Sequence, residues 1–276
     1  MERVKTVGDV LSQSQMTVMA RVLAEEGSAR EHVVVYLSGA HAYGFPSPDS
    51  DLDLKAIHVA QTADLLGFEP PAPTVDRAEI VDDVEIDYTS NELAHALAGI
   101  LGGNGNFLER VLGRMVAHGS ALLTELRPLV QKSLSRRVHR HYRGFAQNQL
   151  RLLEKEPTAK KLLYVLRTTL TGIHLLETGQ VEPDLTRLMD DYGLADAASL
   201  VERKRAGERV GLEGATLHAW QPRIDELFMR LDRAREKSPL PEAPPNEQDV
   251  REWLLAVRRA RFEGRDPVPG LHAEDA

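Results

Sequence analysis

The chain has 276 residues, of which 42% are hydrophobic and 28% are charged, a composition that excludes disordered, fibrous and collagen-like proteins. Its 34 basic and 42 acidic residues leave a net charge of −8, which argues against a protein that coats DNA through charge alone. The lack of cysteine excludes disulfide scaffolds, thiolate metal sites and cysteine nucleophiles. The sequence shows no secretory signal pattern and no apolar run near the ~20 residues that span a bilayer, so we expect a cytoplasmic protein with no membrane partner.

The first half of the chain combines a helix with several strands. Apolar spacing predicts a helix from Val7 to Glu26 that ends at Gly27. β-Branched and alternating runs predict strands at Val33–Leu37, Asp51–Val59, Thr74–Val81 and Val84–Tyr88. The stretch Ser38–Ser50, rich in Gly, Pro and Ser, predicts a loop.

The second half is predicted to be helical from Asn91 onward. The strongest helices are expected at Ser135–Lys155, Thr158–Thr178 and Leu217–Lys237. The glycines and asparagines of Gly102–Asn106 predict a turn between two helices, with Asn106 capping the second. Ser238–Asn246 predicts a rigid Pro-rich linker, followed by a basic amphipathic helix over Glu247–Arg261 and a frayed tail of a dozen residues.

Charge divides the chain at about the same place. Residues 1–131 carry 9 basic and 19 acidic side chains, whereas residues 132–235 carry 19 and 14. The contrast predicts two units with different electrostatic properties, although two differently solvated surfaces would explain it as well. We therefore expect a sheet-containing domain over 1–131, a helical domain over 132–237, and a linker, short helix and flexible tail over 238–276.

Two aspartates stand at the head of the second predicted strand. Side chains in a strand alternate between its faces, so Asp51 and Asp53 project together while Leu52 and Leu54 point into the core. Carboxylates placed in this way repel each other unless a cation lies between them. The pattern favours Mg²⁺, a hard cation that prefers oxygen ligands and is usually bound together with a phosphate.

A third carboxylate lies on another strand. In Val84–Tyr88, the apolar residues share one face, while Glu85 and Asp87 share the other. If this strand lies beside Asp51–Val59, Asp87 completes a triad, and three carboxylates can hold two metal ions ~3.5–4 Å apart for phosphoryl displacement. Glu85 remains the alternative third ligand because it shares the face of Asp87.

The stretch SGAHAYGFPSPDSDLDL (Ser38–Leu54) with the later strand aspartate resembles the DNA polymerase β-like nucleotidyltransferase superfamily. More narrowly, it resembles the bacterial predicted nucleotidyltransferases of the RNA-ligase-associated type. NELAHALAGILGGNGNFLERVL and KKLLYVLRTTLTGIHLLETGQVEPDL also resemble that group, so the likeness spans about residues 33–190. It implies an α+β fold: an N-terminal nucleotidyltransferase domain, with a mixed β-sheet flanked by helices, followed by a C-terminal helical bundle.

The resemblance also implies roles for individual residues. Asp51 and Asp53 would bind both metal ions, Mg²⁺ or Mn²⁺, and Asp87 would bind the catalytic ion and assist deprotonation of the attacking hydroxyl. The loop Gly39–Tyr43 would cradle the β- and γ-phosphates of a nucleoside triphosphate, with ATP the expected donor.

One position departs from the family pattern. The family glycine is usually followed by a serine that hydrogen-bonds a terminal phosphate, and here that position is Ala40. Loss of this hydroxyl would cost about 1.5–3 kcal/mol of phosphate binding. Ser38, Ser50 or the loop amides are candidates to compensate, and the metal ligands are unaffected.

Lys160, Tyr164 and Arg167 fall on one face of a predicted helix, where a lysine and an arginine would hold the triphosphate or the departing pyrophosphate. A solvated helix flank is the alternative interpretation, and Lys161 is the alternative lysine. The complete predicted nucleotide-binding set is Ser38, Gly39, Ala40, Tyr43, Ser50, Lys160, Tyr164 and Arg167.

These patterns predict a metal-dependent nucleotidyltransferase that moves a nucleoside monophosphate to a hydroxyl acceptor and releases pyrophosphate. The acceptor is open between an RNA end, an aminoglycoside-type small molecule and a protein side chain. The basic run Lys132–Arg143 favours RNA slightly, although a solvated helix explains it as well. A catalytically weak or inactive nucleotide-binding module is the alternative from a different functional class.

Overall fold

Five strands form one mixed sheet in the order β3-β4-β2-β1-β5. The computed structural model describes residues 5–207 and 211–264. The strands are β1 (Glu31–Leu37), β2 (Leu52–Val59), β3 (Thr74–Val81), β4 (Val84–Glu92) and β5 (Val116–Gly119). β2 and β4 run parallel, whereas the other neighbouring strands are antiparallel.

Helices flank this sheet and, with the loops between them, make up the rest of the described chain. Those of the first half are α1 (Val7–Val10), α2 (Gln13–Ala29), α3 (Gly39–Ala42), α4 (Thr62–Leu65), α5 (Leu93–Leu101), α6 (Gly105–Leu112) and α7 (Ala121–Lys132). Those of the second half are α8 (Val138–Lys155), α9 (Ala159–Thr178), α10 (Leu185–Leu188), α11 (Ala198–Arg205), α12 (Gly214–Lys237) and α13 (Glu247–Phe262), with a single 3-10 turn at Ala195–Ala197. The predicted α+β class, with a helical C-terminal region, is confirmed.

The four predicted strands are confirmed, for the reasons that the sequence indicated. Val33–Leu37 is buried along its whole length, as a central strand must be. β3 and β4 form a hairpin around Asp82 and Asp83, which have φ values of 50° and 62°. Short polar residues tolerate this left-handed conformation, which matches the twist of the hairpin.

The helical half is organised around α9. Its side chains are buried on nearly every face from Ala159 to Leu176, and it packs between α8 and α12. A helix that is buried on nearly every face lies at the centre of a bundle, so α9 forms the core of this region.

Three predictions about the first half were wrong in detail. The single helix from Val7 to Glu26 is divided, because Leu11 is extended and Ser12 starts α2 with a capping box to Gln15; α2 then continues through Gly27. The loop Ser38–Ser50 contains the helical turn α3. β5, inside the region predicted to be entirely helical, is a strand because it pairs with the edge of β1.

Two further predictions were wrong in the second half. Asn104, and not Asn106, caps α6, since its side chain accepts the Asn106 amide. The segment Ser238–Asn246 is packed rather than a free spacer: Ser238 donates to the Leu176 carbonyl at 2.5 Å, and Asn246 donates to the Leu129 carbonyl at 2.9 Å. The predicted frayed tail, residues 265–276, lies outside the described residues.

The last helix returns to the sheet-containing region. Arg258 of α13 pairs with Glu92 at the end of β4, and Arg261 pairs with Glu31 at the start of β1. Thr62 also donates a hydrogen bond to the Arg258 carbonyl at 2.9 Å. α13 therefore holds the strand ends that lie away from Asp53.

None of the described helices combines the length and the apolar character needed to cross a membrane.

The pH dependence of stability should report on a buried histidine. Burial lowers the pKa of His32 to about 4, and its ring hydrogen-bonds the Tyr88 hydroxyl at 2.7 Å. Because the folded-state pKa of His32 lies below the unfolded value of 6.5, its contribution to the free energy of unfolding is fully present above pH 6.5. This contribution is lost as the pH falls towards 4. We expect His32→Gln to reduce that loss by on the order of 3 kcal/mol, measured by urea unfolding between pH 7 and 4. The matched control is the exposed His218→Gln; an unchanged pH dependence in His32→Gln would contradict the assignment.

Candidate active site

Two of the predicted carboxylates face each other across neighbouring strands. Asp53 of β2 is paired in register with Asp87 of the parallel strand β4. The side chain of Asp53 is 24% exposed and that of Asp87 is 53% exposed, so the pair opens to solvent on the Asp87 side. Asp51 also lies close enough for its charge to act on Asp53. The structure thus brings the three predicted carboxylates to one region of the sheet.

A lysine lies between these carboxylates. Lys55 is two residues after Asp53 on the same strand face, and its ammonium is 2.8 Å from Asp87 Oδ1 and 4.0 Å from Asp53 Oδ1. It also donates to the Thr89 hydroxyl at 3.3 Å. The negative charge of the pair is therefore partly neutralised by the protein itself.

Burial raises the pKa of Asp53 to about 6. The positive charge of Lys55 opposes the shift, while the negative charges of Asp87 and Asp51 add to it. The positive charge of Lys160, in α9, also favours the ionised form. Asp53 is thus a poorly hydrated carboxylate that lies close to two other negative charges, an environment in which an added cation is favoured.

The backbone at Gly39 packs directly on the Asp53 carboxylate. Gly39 has a φ of 63°, and a Cβ built on it would overlap Asp53 Oδ2. The amide of the preceding Ser38 donates to the Asp53 carbonyl at 2.8 Å. Only glycine satisfies both the backbone conformation and the close approach, which explains the glycine in the motif.

Tyr43 ends the helical turn α3 and connects the loop to a buried ion pair. Its hydroxyl lies 3.2 Å from the Ser38 hydroxyl, and its ring lies 3.6 Å from the guanidinium carbon of Arg167. Arg167 in turn pairs with Glu109 of α6 at 2.6 Å, and both side chains are 3% exposed. Tyr142 donates a further hydrogen bond to Glu109.

A buried lysine holds the other end of the loop. Lys204 of α11 is 0% exposed and donates to the hydroxyls of Ser47 and Ser50 at 2.5 and 3.1 Å. Gln15 of α2 donates to the Ser50 carbonyl at 3.2 Å. Since Ser50 immediately precedes Asp51, these contacts set the position from which the first aspartate projects.

The predicted nucleotide-binding residues occupy different environments. The positive charge of Lys160 acts on Asp53. The ring of Tyr164 packs edge-on against the ring of Tyr43, with their centroids 5.6 Å apart. Arg167 points into the interior, towards Glu109, and not into the region of the carboxylates. Ala40 is 5% exposed, inside the turn α3.

The two serines considered as replacements for the missing hydroxyl both contact protein groups. Ser38 contacts Tyr43, and Ser50 contacts Ser47 and Lys204. The amide of Tyr43 donates to the Gly39 carbonyl. Phosphate binding by these groups would therefore require an exchange of hydrogen bonds.

The carboxylates at this site are residue types that suit a divalent cation. In the structure, however, the ammonium of Lys55 partly neutralises their negative charge. Carboxylate oxygens are the ligands that Mg²⁺ and Mn²⁺ prefer. Within residues 5–207 and 211–264, however, no three acidic or histidine side chains are arranged to hold a metal ion. The Lys55 ammonium contacts Asp87 near the position that an ion shared with Asp53 would take.

Sequence reasoning missed several residues of the site. Lys55 could have been predicted from the sequence, because the alternation that places Asp51 and Asp53 on one face of the strand places Lys55 there too. Lys204 and Glu109 carried no comparable signal. Their partners lie 154 and 58 residues away in the chain, and only the tertiary fold joins them.

Comparison with known proteins identifies the family of this chain. Residues 12–256 match the RNA repair pathway DNA polymerase beta family. The chain belongs to this family. It is therefore a polymerase β-like, nucleotidyltransferase-like protein, as the motif Ser38–Leu54 indicated.

Two relatives of this protein carry names that state no activity. The uncharacterized protein MJ0002 of Methanocaldococcus jannaschii is 30% identical over 166 residues, covering 58% of this chain and 67% of that protein. The uncharacterized protein YcgL of Bacillus subtilis is 30% identical over 186 residues, covering 64% and 70%. A crystal structure of a nucleotidyltransferase-like protein from Exiguobacterium sibiricum aligns with 12% identity and a TM-score of 0.33, covering 80% of this chain and 74% of that one, a likeness too distant to add to the assignment.

Replacing the motif glycine tests the contact with Asp53. Gly39→Ala places a methyl group against the carboxylate and forces a left-handed φ on alanine, so we expect a loss of about 2 kcal/mol or more in unfolding free energy. Gly27→Ala is the control, because nothing lies within 4 Å of a Cβ at that position. Thermal or urea unfolding measures both, and equal stability of the two variants would disprove the steric argument.

Breaking the buried ion pair tests how the helical region supports the loop. Arg167→Met leaves Glu109 buried without its charged partner, and we expect a loss of about 3–5 kcal/mol. The double variant Arg167→Met/Glu109→Gln should be less destabilised than the sum of the two single variants, because it removes both members of the pair. Additive losses in urea unfolding would show that the two side chains do not interact.

Proposed function

We propose that this protein transfers a nucleoside monophosphate from a nucleoside triphosphate to a hydroxyl group and releases pyrophosphate. The donor expected is ATP, and the acceptor expected is an RNA end. The observation that carries the proposal is the register of Asp53 and Asp87 on parallel strands, directly beside the glycine loop that follows β1. Family membership supports the same class of reaction.

The reaction brings the oxygen of an acceptor hydroxyl to an α-phosphorus that is surrounded by negatively charged oxygens. The acceptor hydroxyl oxygen forms a bond to the α-phosphorus, and the bond from that phosphorus to the oxygen of the departing pyrophosphate breaks. The hydroxyl proton passes to a carboxylate, for which Asp87 is proposed because it is the more solvent-exposed of the pair. Positioning and charge neutralisation provide most of the rate enhancement in such transfers.

Asp51, Asp53 and Asp87 are the residues proposed to hold Mg²⁺, or Mn²⁺ in its place. When bound, a divalent cation supplies charge neutralisation at the phosphates and lowers the pKa of the attacking hydroxyl. Lys55 and Lys160 add positive charge beside the carboxylates, which favours a polyanionic substrate. Of the predicted helix face, Arg167 is assigned here to positioning Tyr43 rather than to contacting phosphate.

Two observations favour a nucleotide-binding module without transfer as the second candidate. Ala40 stands where the family serine contributes a hydroxyl, and the Lys55 ammonium occupies the space between the carboxylates. A small-molecule acceptor is the third possibility within the same chemistry.

The proposal is tested with α-labelled ATP, Mg²⁺ or Mn²⁺, and a panel of RNA oligonucleotides and aminoglycosides. We expect label transfer to RNA, and a decrease of more than about 100-fold in Asp53→Asn and in Asp87→Asn, a loss typical of removing one group that stabilises transition-state charge. Glu85→Gln is the matched control, since Glu85 lies on the same face of β4 and is exposed.

The possible outcomes separate the candidates. ATP binding without transfer to any acceptor would support the nucleotide-binding module and reject the proposed reaction. Transfer only to the low-molecular-weight acceptors would retain the chemistry and reject RNA. Loss of activity in Glu85→Gln with retention in Asp87→Asn would move the third ligand to Glu85.

A further inference from the structure

One face of α8 carries basic residues at both of its ends. Six positions lie on it, at intervals of three or four residues, and all six are exposed: Arg137, Arg140, Gly144, Asn148, Arg151 and Lys155. These positions form a narrow strip along a helix, because residues three and four apart lie above one another. We call them the α8 stripe.

The α8 stripe contains four cationic side chains and no carboxylate. From Arg137 to Lys155 it extends about 27 Å at the rise of an α-helix. The whole chain carries a net charge of −8, so a strip with four cations and no carboxylate is contrary to its overall balance. Such a strip attracts a polyanion.

The cations of the stripe are largely unused by the protein. Among the residues that the structure describes, Arg140, Arg151 and Lys155 form no hydrogen bond or ion pair, and Arg137 donates only to the Leu101 carbonyl. The neighbouring face differs, because His139 and Arg143 contact Asp232, and Arg235 contacts Glu242. The neighbouring face is thus compensated, and the stripe is not.

A glycine lies in the middle of the stripe without a packing reason. Gly144 is exposed within α8, and nothing lies within 4 Å of a Cβ built on it. Glycine disfavours a helix interior, so packing and propensity would both accept a larger residue here. Gly144 lines a cavity of about 760 Å³ together with Arg137 and Arg140. The absence of a side chain leaves room for a ligand to approach the helix backbone.

The stripe leads towards the candidate active site. Lys155 is the last residue of α8, and after three intervening residues α9 begins with Ala159 and Lys160. The charge of Lys160 acts on Asp53. A strand lying along the stripe would therefore have one end near the carboxylates.

We propose that the α8 stripe binds the sugar–phosphate backbone of single-stranded RNA and leads its end to the carboxylates; as the acceptor route, this rests on the proposed function. Beside the stripe, the rings of His141 and Phe145 stack in parallel at 5.9 Å, and both are partly exposed. A basic track with adjacent aromatic rings is the arrangement by which proteins bind single strands without reading sequence.

The test measures binding of a fluorescein-labelled 12-nucleotide RNA by anisotropy at several salt concentrations. Arg140→Glu/Arg151→Glu should bind at least 10-fold more weakly than wild type. If both arginines contact phosphates, the slope of log K against log salt should decrease in magnitude by about 1.4. Arg233→Glu/Arg259→Glu is the matched control, with the same change in charge at exposed positions of α12 and α13.

Gly144 provides a second test that leaves the charge unchanged. Gly144→Ala should weaken RNA binding several-fold without lowering the unfolding temperature, because alanine favours the helix but places a methyl group between the ligand and the helix backbone. Gly27→Ala, which also adds a methyl group to an exposed helical glycine, should bind RNA like wild type.

Several results would overturn the proposal: no RNA binding by the wild type, equal weakening in both charge-reversal variants, or binding to phosphatidylserine vesicles in preference to RNA. Failure of the stripe is distinguishable from failure of the reaction. Label transfer from ATP that survives the loss of RNA binding would reject the stripe alone. Stripe-dependent RNA binding by a wild-type protein that transfers no label would support the stripe as an RNA-binding surface and reject the transfer.

Discussion

The contact between Gly39 and the Asp53 carboxylate determines the geometry of the whole candidate site. The glycine loop lies against the side chain of the aspartate, and the Ser38 amide binds the carbonyl of the same residue. Loop and strand therefore form one unit, in which neither can shift without the other. This close packing also removes water from Asp53, which is the main reason that its pKa is raised.

The helical half of the protein supports this unit through two buried cations. Arg167 presses against Tyr43 from α9, and Lys204 holds Ser47 and Ser50 from α11. Burying a cation costs desolvation free energy unless its partners are well placed, so such contacts define one relative arrangement of the two halves rather than many. The helical region is therefore part of the site, although Asp53 and Asp87 lie on strands of the sheet and Asp51 immediately precedes one.

The sequence was informative wherever a short-range period decided the structure. Alternation along Val84–Tyr88 placed Asp87 on the correct face, and the motif placed Asp53 beside the glycine loop. The helical period does not indicate how deeply a side chain is buried. Helical spacing put Lys160 and Arg167 on one face, but only the position of Glu109 on α6 decides that Arg167 is buried. β5 was missed for a related reason, since four residues become a strand only through pairing with β1.

The return of α13 to the sheet has a consequence for how the protein is made. Glu92, 5% exposed, caps α5 and pairs with Arg258, a residue that the ribosome adds 166 positions later. During synthesis the strands of the sheet are therefore made while Glu92 still lacks its arginine partner. The ion pair at this end of β4 can form only after the helical bundle has been translated. The sheet and the last helix thus depend on each other, and an excised front half would lack the cations that neutralise its own strand ends.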